Sequence, residues 1–218
     1  MPDCILCADL RAETGAAPWN RPLAETPHFV VVPSLGALVE GWLLVVPKEH
    51  YISMGAMPNE LRAEADSLVP EVREFLRSSY NSPVVEFEHG PSAALHGTGC
   101  GVDHAHLHLV PLACDLLRGV EPFVHSSVEW KPCTWAERIA AFERGWDYLY
   151  LKPEGKPGLI AVSDDFGSQV FRRAIAAQLG RANEFSWREY PRVEVVQSTI
   201  AALTESPIRL GSRAEHVA

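Results

Sequence analysis

The segment from Asp103 to Pro111, DHAHLHLVP, alternates histidine with apolar residues: His104, His106 and His108 are interleaved with Ala105, Leu107 and Leu109. Successive side chains of an extended backbone point to opposite faces, so this pattern specifies a strand with one apolar face and one face of imidazole. The rings would stand at intervals of about 6.6 Å. An isolated histidine is more often a satisfied core or surface residue, which is how His28, His125 and His216 read. Three in alternation, preceded by the Gly-rich HGTGCG, point to chemistry instead.

The residues around this strand predict its partners. Residues from His28 to Pro33 and from Trp42 to Pro47 read as two β-branched strands of a hairpin, joined by SLGALVEG. Leu61, Ala65, Leu68, Val72, Phe75 and Leu76 recur at helical spacing between Pro58 and Tyr80, with Pro70 expected to kink or split that helix. PVVEFEH, from Pro83, reads as a third strand and DHAHLHLVP as the fourth. Strand runs flanking a single helix favour an α+β domain with an antiparallel sheet, ending near Asp115. Beyond it, WDYLYLKP and GLIAVSD predict a second hairpin. SQVFRRAIAAQLG predicts a helix closed by Gly180, FSWREYP a loop, and VEVVQSTIAAL a last helix. The organisation is thus a first domain over 1–115 and an α/β extension over 116–218, packed on it.

Composition narrows the ligand. A formal charge of −9 argues against a long nucleic-acid duplex, which demands a broad basic surface, but not against a small nucleotide held by local groups. No apolar run approaches the ~18 residues that cross a bilayer, and MPDCILC lacks the basic and apolar regions of a secretion signal. A cytoplasmic protein without membrane contact is the expectation. Five cysteines, Cys4, Cys7, Cys100, Cys114 and Cys133, are an odd set for a disulfide framework and read as thiols or metal ligands.

A row of imidazoles can ligate a hydrolytic metal, or supply a nucleophile flanked by rings that orient it and neutralise a phosphate. Binuclear hydrolases with a His-x-His-x-Asp-His signature need a carboxylate at 108 and a histidine at 109, where this chain has His108 and Leu109. One ion also cannot readily take all three side chains of a straight strand, whose outer two lie about 13 Å apart. The nucleophile reading is favoured.

His104 to Pro111, HAHLHLVP, resembles the histidine-triad pattern, and GWLLVVPKEH from Gly41 resembles the same family's glycine-led strand ending in Pro-Lys-x-His. Cys4-Ile5-Leu6-Cys7 is similar to the opening of its zinc-containing members. The resemblance covers about residues 1–115 and implies a histidine-triad (HIT)-like catalytic domain. It implies that His106 is the nucleophile, forming a covalent nucleotidyl-imidazole, that His108 binds and polarises the α-phosphate, and that His104 acts structurally. Backbone N–H groups of Gly99 and Gly101 would suit phosphate oxygens. The implied activity is hydrolysis of a nucleoside phosphoester, phosphoanhydride or phosphoramidate. A nucleotidyltransferase or phosphorylase using the same intermediate, or a non-catalytic nucleotide- or RNA-binding protein, is the alternative. The partner expected is a small-molecule nucleotide, and a homodimer is left open.

This chain departs from the family at several positions. Trp42 stands where most members have histidine, and Ser34 near the place of an aspartate that holds the ribose hydroxyls. Gly101 takes the place of a serine that often assists the leaving group, and Cys100 that of a glutamine, so the leaving-group acid is unassigned. His89 and His96 are candidates for that role or for substrate binding.

Structural zinc prefers four soft or imidazole ligands in a closed tetrahedron. Cys4, Cys7, His50 and His104 supply such a set, and they match the zinc ligands of bacterial triad hydrolases and galactose-1-phosphate uridylyltransferase. In the second half, the adjacent Arg172 and Arg173 read as surface arginines, of which at most one could turn into a cleft. Trp187 and Tyr190, near Pro191, read as packing aromatics able to stack on a base.

Overall fold

The computed structural model describes residues 4–11, 22–94, 98–99, 101–164, 166–205, 207–208 and 210. The strands are β1 (Ala24–Glu25), β2 (Phe29–Pro33), β3 (Leu43–Pro47), β4 (Val84–Gly90), β5 (Leu107–Pro111), β6 (Lys131–Pro132), β7 (Tyr148–Lys152) and β8 (Leu159–Val162). All pair antiparallel in one eight-stranded sheet of order β1-β2-β3-β5-β4-β7-β8-β6. The helices are α1 (Ile5–Arg11), α2 (Asn59–Tyr80), α3 (Leu116–Val120), α4 (Trp135–Glu143), α5 (Val170–Gln178) and α6 (Val193–Glu205). The class is α+β, and both hairpins read from the sequence form. None of the helices among the described residues is long and apolar enough to cross a membrane.

The sheet separates two cores. Ala105, Leu107 and Leu109 point to one face, where α2 contributes Leu61, Ala65, Leu68, Val72 and Leu76. Val110, Val85 and Phe87 belong to the other, covered by Phe171, Ala174 and Ile175 of α5. Helix α2 runs unbroken through Pro70. Pro70 lies on the exposed side, where a carbonyl deprived of its helical partner can turn to water.

Three helices escaped the periodicity reading. Helix α4 opens on a capping box, with the Thr134 side chain and Glu137 each serving the other's backbone N–H, and the residues Thr-Trp-Ala-Glu carried that signal. Helices α1 and α3 are too short to show a hydrophobic period. The helix after residue 168 ends as expected: Gly180, at φ 71°, donates to Ala177, and Arg181 donates to Ala176. This pair of bonds satisfies the last carbonyls of α5.

The two halves of the chain meet within the sheet, where β7 pairs with β4 from Glu86↔Lys152 to Gly90↔Tyr148. Beneath the seam, buried polar groups lock the same elements. Glu88 Oε1 accepts the Met54 N–H at 2.6 Å, Gly55 N–H donates to the Tyr148 hydroxyl at 3.0 Å, and Arg138 stands 3.7 Å from Glu88. Arg73 pairs with Glu86 alongside.

Candidate active site and metal cluster

The ladder of β5 begins only at Leu107, so His104 and His106 precede the paired strand instead of standing on it as the alternation predicted. The alternation of faces nevertheless holds from Ala105 onward. The His106 and His108 rings are 4.8 Å apart, while His104 turns to His50, 5.0 Å away. The row is thus divided into a pair and an outlier.

Hydrogen bonds define which nitrogen of each ring carries the proton. His106 Nδ1 lies 2.6 Å from the His104 carbonyl, which can only accept, so Nδ1 is the donor and Nε2 holds the lone pair. Trp42 Nε1, which can only donate, lies 2.9 Å from His108 Nδ1, so the His108 proton is on Nε2. The neighbouring rings therefore differ: His106 offers a nucleophilic nitrogen and His108 an N–H donor. His108 is held in plane by Phe87, stacked at 4.4 Å and 17°. Burial depresses the pKa of both rings; for His108 the charges of His106, His89 and Arg172 press in the same direction. Both are neutral at pH 7, as nucleophilic attack requires.

The two rings line an open cavity together with Ser34, Val32, Pro33 and Leu44 from the first hairpin. Ile5, Leu6, Asp9 and Leu10 of α1 form a second wall, and Arg172 and Trp187 a third. Arg172 corrects the surface reading: only 2% exposed, it donates Nε–H to the Phe185 carbonyl at 2.9 Å and bonds the Gly36 carbonyl. Its guanidinium lies 5.0 Å from the Trp42 ring. Arg173 is the half-exposed member of the pair, its guanidinium 4.8 Å from the Phe185 ring. The sequence showed that one could enter a cleft; which one depends on how α5 is rolled on the sheet. Trp187 packs on Gly36, where an added Cβ would lie 2.6 Å from Trp187 Cβ. Tyr190 is exposed.

The remaining candidates divide. His89 is not a wall of this cavity; it is buried behind His108, its ring 6.3 Å away, and Nε2 accepts the Phe171 N–H at 3.4 Å. Burial lowers its pKa to about 3, so at neutral pH the ring is uncharged and has no imidazolium proton to give as an acid. The Gly99 carbonyl accepts from Ser168 Oγ at 3.1 Å, and Gly101, at φ 75°, precedes the cavity residue Val102. His96 and Cys100 lie outside the described residues.

On the chain just before the His106 and His108 pair, His104 converges with Cys4, Cys7 and His50, one ligand atom from each lying within 4.8 Å of the others. His104 Nδ1 stands 3.5 Å from Cys4 Sγ and 3.4 Å from Cys7 Sγ, and His50 Nδ1 is 3.3 Å from Cys7 Sγ. Ligands of tetrahedral zinc are separated by about 3.3–3.8 Å, from bond lengths near 2.0 and 2.3 Å. His104 Nε2 bonds the Pro47 carbonyl at 2.8 Å and so carries the proton, which leaves Nδ1 as a lone pair aimed at the sulfurs. Donor type, number and spacing all fit one structural zinc.

No family model matches the chain, and no curated protein matches it. Solved structures do. A Hit-like protein from Bartonella henselae is 16% identical with a TM-score of 0.42, over 51% of this chain and 81% of that one. A HIT family protein from Bacillus anthracis is 23% identical with a TM-score of 0.42, over 52% and 75%. A zinc-bound histidine triad family protein from Mycobacterium smegmatis is 23% identical with a TM-score of 0.40, over 51% and 76%.

Proposed function

We propose that this chain is a histidine-triad-type nucleotide hydrolase that works through a covalent nucleotidyl-His106 intermediate. The observation that carries the reading is the pair of contacts from His106 Nδ1 to the His104 carbonyl and from Trp42 Nε1 to His108 Nδ1, which assign an attacking lone pair to one ring and a proton donor to the next. The resemblance of HAHLHLVP and GWLLVVPKEH to the triad family supplies the nucleotide.

His106 Nε2 attacks the α-phosphorus, forming a P–N bond while the bond to the leaving group breaks with its electron pair. Water then attacks the same phosphorus, the P–N electrons return to Nε2, and the water proton passes to solvent. His108 donates its Nε2–H to a phosphate oxygen throughout, and the charge of Arg172 on the cavity wall favours an anionic ligand. The apolar residues of α1 and β2 would hold the base. Cys4, Cys7, His50 and His104 would hold zinc, which supplies a structural crosslink between α1 and the approach to β5. Transfer to phosphate or a sugar phosphate in place of water uses the same intermediate.

Intact-protein mass spectrometry after incubation with a panel of nucleotides tests the reading. An adduct of nucleotidyl mass that maps to His106 and is lost in His106→Ala, together with net retention on a chiral phosphorothioate, is the expected result. Inversion, or full turnover by His106→Ala, would overturn it.

A further inference from the structure

The chain between Gly90, the last residue of β4, and Leu107, the first of β5, carries the cavity residue Val102 and the His106 ring with no helix or strand among its described residues. A connection of this length keeps a fixed course only where other groups tie it down. Asp147 supplies such a tie. Its Oδ1 accepts the backbone N–H and the hydroxyl of Ser92, each at 2.8 Å, and its Oδ2 accepts the Thr98 hydroxyl at 2.5 Å. Residues 92 and 98 thus meet on one carboxylate. Gly99, whose carbonyl accepts from Ser168 Oγ at 3.1 Å, follows directly.

Asp147 is itself well anchored. Only 4% exposed, it stands one residue before β7, where Tyr148 pairs with Gly90 of β4. Its carbonyl accepts the Ser163 N–H at 3.2 Å, and the Trp146 N–H before it donates to the Ala141 carbonyl at 2.9 Å. A buried carboxylate is costly unless donors satisfy it, and donors that converge on it are held with it. The Gly99 carbonyl is tied a second time, by the Gln169 N–H at 3.4 Å, and Gln169 takes φ 58° there, a left-handed conformation that non-glycine residues rarely hold. Asp147, Ser168 and Gln169 all belong to the second half of the chain. The course from Thr98 to Val102 is therefore set from outside the segment that carries the three histidines.

Resting on the hydrolase reading, we infer that Asp147 is a positioning residue: it fixes the segment from Thr98 to Val102 against the cavity, and so the presentation of the α-phosphate to His106 Nε2. Asp147 is not a wall of the cavity and acts through Ser92 and Thr98. Val102 stands on the wall with His106 and His108, so a shift where Asp147 holds Thr98 passes along a short stretch of backbone to that wall. The walls formed by α1 and the first hairpin belong to other elements and keep their place. In-line attack loses rate steeply when the reacting atoms are displaced, by about 100-fold for about 1 Å, whereas apolar contact with a base does not depend on such precision. The contribution of Asp147 therefore lies in kcat and not in affinity for the nucleoside.

The experiment compares variants of the full chain on the nucleotide that the panel shows to be turned over best, with its parent nucleoside as a ligand that carries no phosphate. Asp147→Ala should lower kcat about 30-fold, while nucleoside affinity by calorimetry stays within about twofold. Asp147→Asn keeps an acceptor for Ser92, and its amide donates to the Thr98 hydroxyl once that hydroxyl rotates, so kcat should return to within about fivefold of the unmodified protein. Thr98→Val removes one hydroxyl with little change of shape, and keeps the test open should Asp147→Ala fail to fold. It should lower kcat about tenfold, again with nucleoside affinity kept. Full kcat in folded Asp147→Ala or Thr98→Val, or a loss of nucleoside affinity parallel to that of kcat, would overturn the inference while leaving nucleotidyl transfer standing. Absence of turnover and adduct in the unmodified protein would remove the hydrolase reading and this inference with it.

Discussion

The indole N–H of Trp42 donates to Nδ1 of His108 at 2.9 Å, so a donor-only residue faces the nitrogen that His108 would need to protonate to become imidazolium. The bond fixes the ring with its proton on Nε2 and opposes a second proton on Nδ1. Trp42→Phe removes that opposition, so the His108 pKa should rise from its depressed position. Turnover should fall several-fold at neutral pH, and its acid limb should move to higher pH. A 15N titration of the His108 ring checks this; an unmoved titration with unchanged turnover would reduce Trp42 to packing.

The sulfur and imidazole cluster ties α1 to the approach to β5, and α1 carries Ile5, Leu6, Asp9 and Leu10 to the cavity. One zinc per chain should copurify. Cys4→Ser with Cys7→Ser should lose it, lower Tm by about 10 °C, and weaken nucleotide binding by about tenfold as the wall loosens. Elemental analysis, thermal melting and calorimetry read these separately. Fresh protein without zinc would end the proposal.

His89 provides a pH signature in stability. Burial first, then the charges of His106 and Arg172, hold its folded pKa at about 3, well below the 6.5 of an exposed histidine. A depressed pKa means that the unfolded chain binds the proton first. The contribution is complete above pH 6.5 and is lost as pH falls toward 3, by up to about 1.4 kcal/mol per unit. His89→Gln, which keeps an acceptor for the Phe171 N–H, should flatten the acid limb of urea-unfolding free energies between pH 7 and pH 5. Parallel limbs for the two proteins would contradict it.

The second half of the chain completes the sheet and the cavity, so a chain ending at Asp115 should not fold alone. It would expose the paired edge of β4 and uncover Phe87, which packs at 4.7 Å on Phe171. Loss of solubility or of cooperative unfolding is the expected outcome. A soluble 1–115 fragment with a cooperative transition would make the remainder an accessory.

What the sequence alone determined was whatever rests on local period or fixed spacing. The imidazole alternation around His106, the two hairpins, the α2 stripe and the set Cys4, Cys7, His50 and His104 were all legible, because strand and helix periods and zinc ligand chemistry are written in neighbouring residues. Tertiary structure alone decided that the triad divides, with His104 turned to the cysteines and His106 to the cavity. It also decided which arginine of the Arg172 and Arg173 pair is buried, and that the Asp147 carboxylate gathers Ser92 and Thr98. These outcomes depend on the roll of α5 on the sheet and on the pairing of β7 with β4. Both are set by contacts between segments some 50 to 140 residues apart in sequence, as in Asp147 with Thr98 and Arg172 with Gly36, and no local pattern encodes such a meeting.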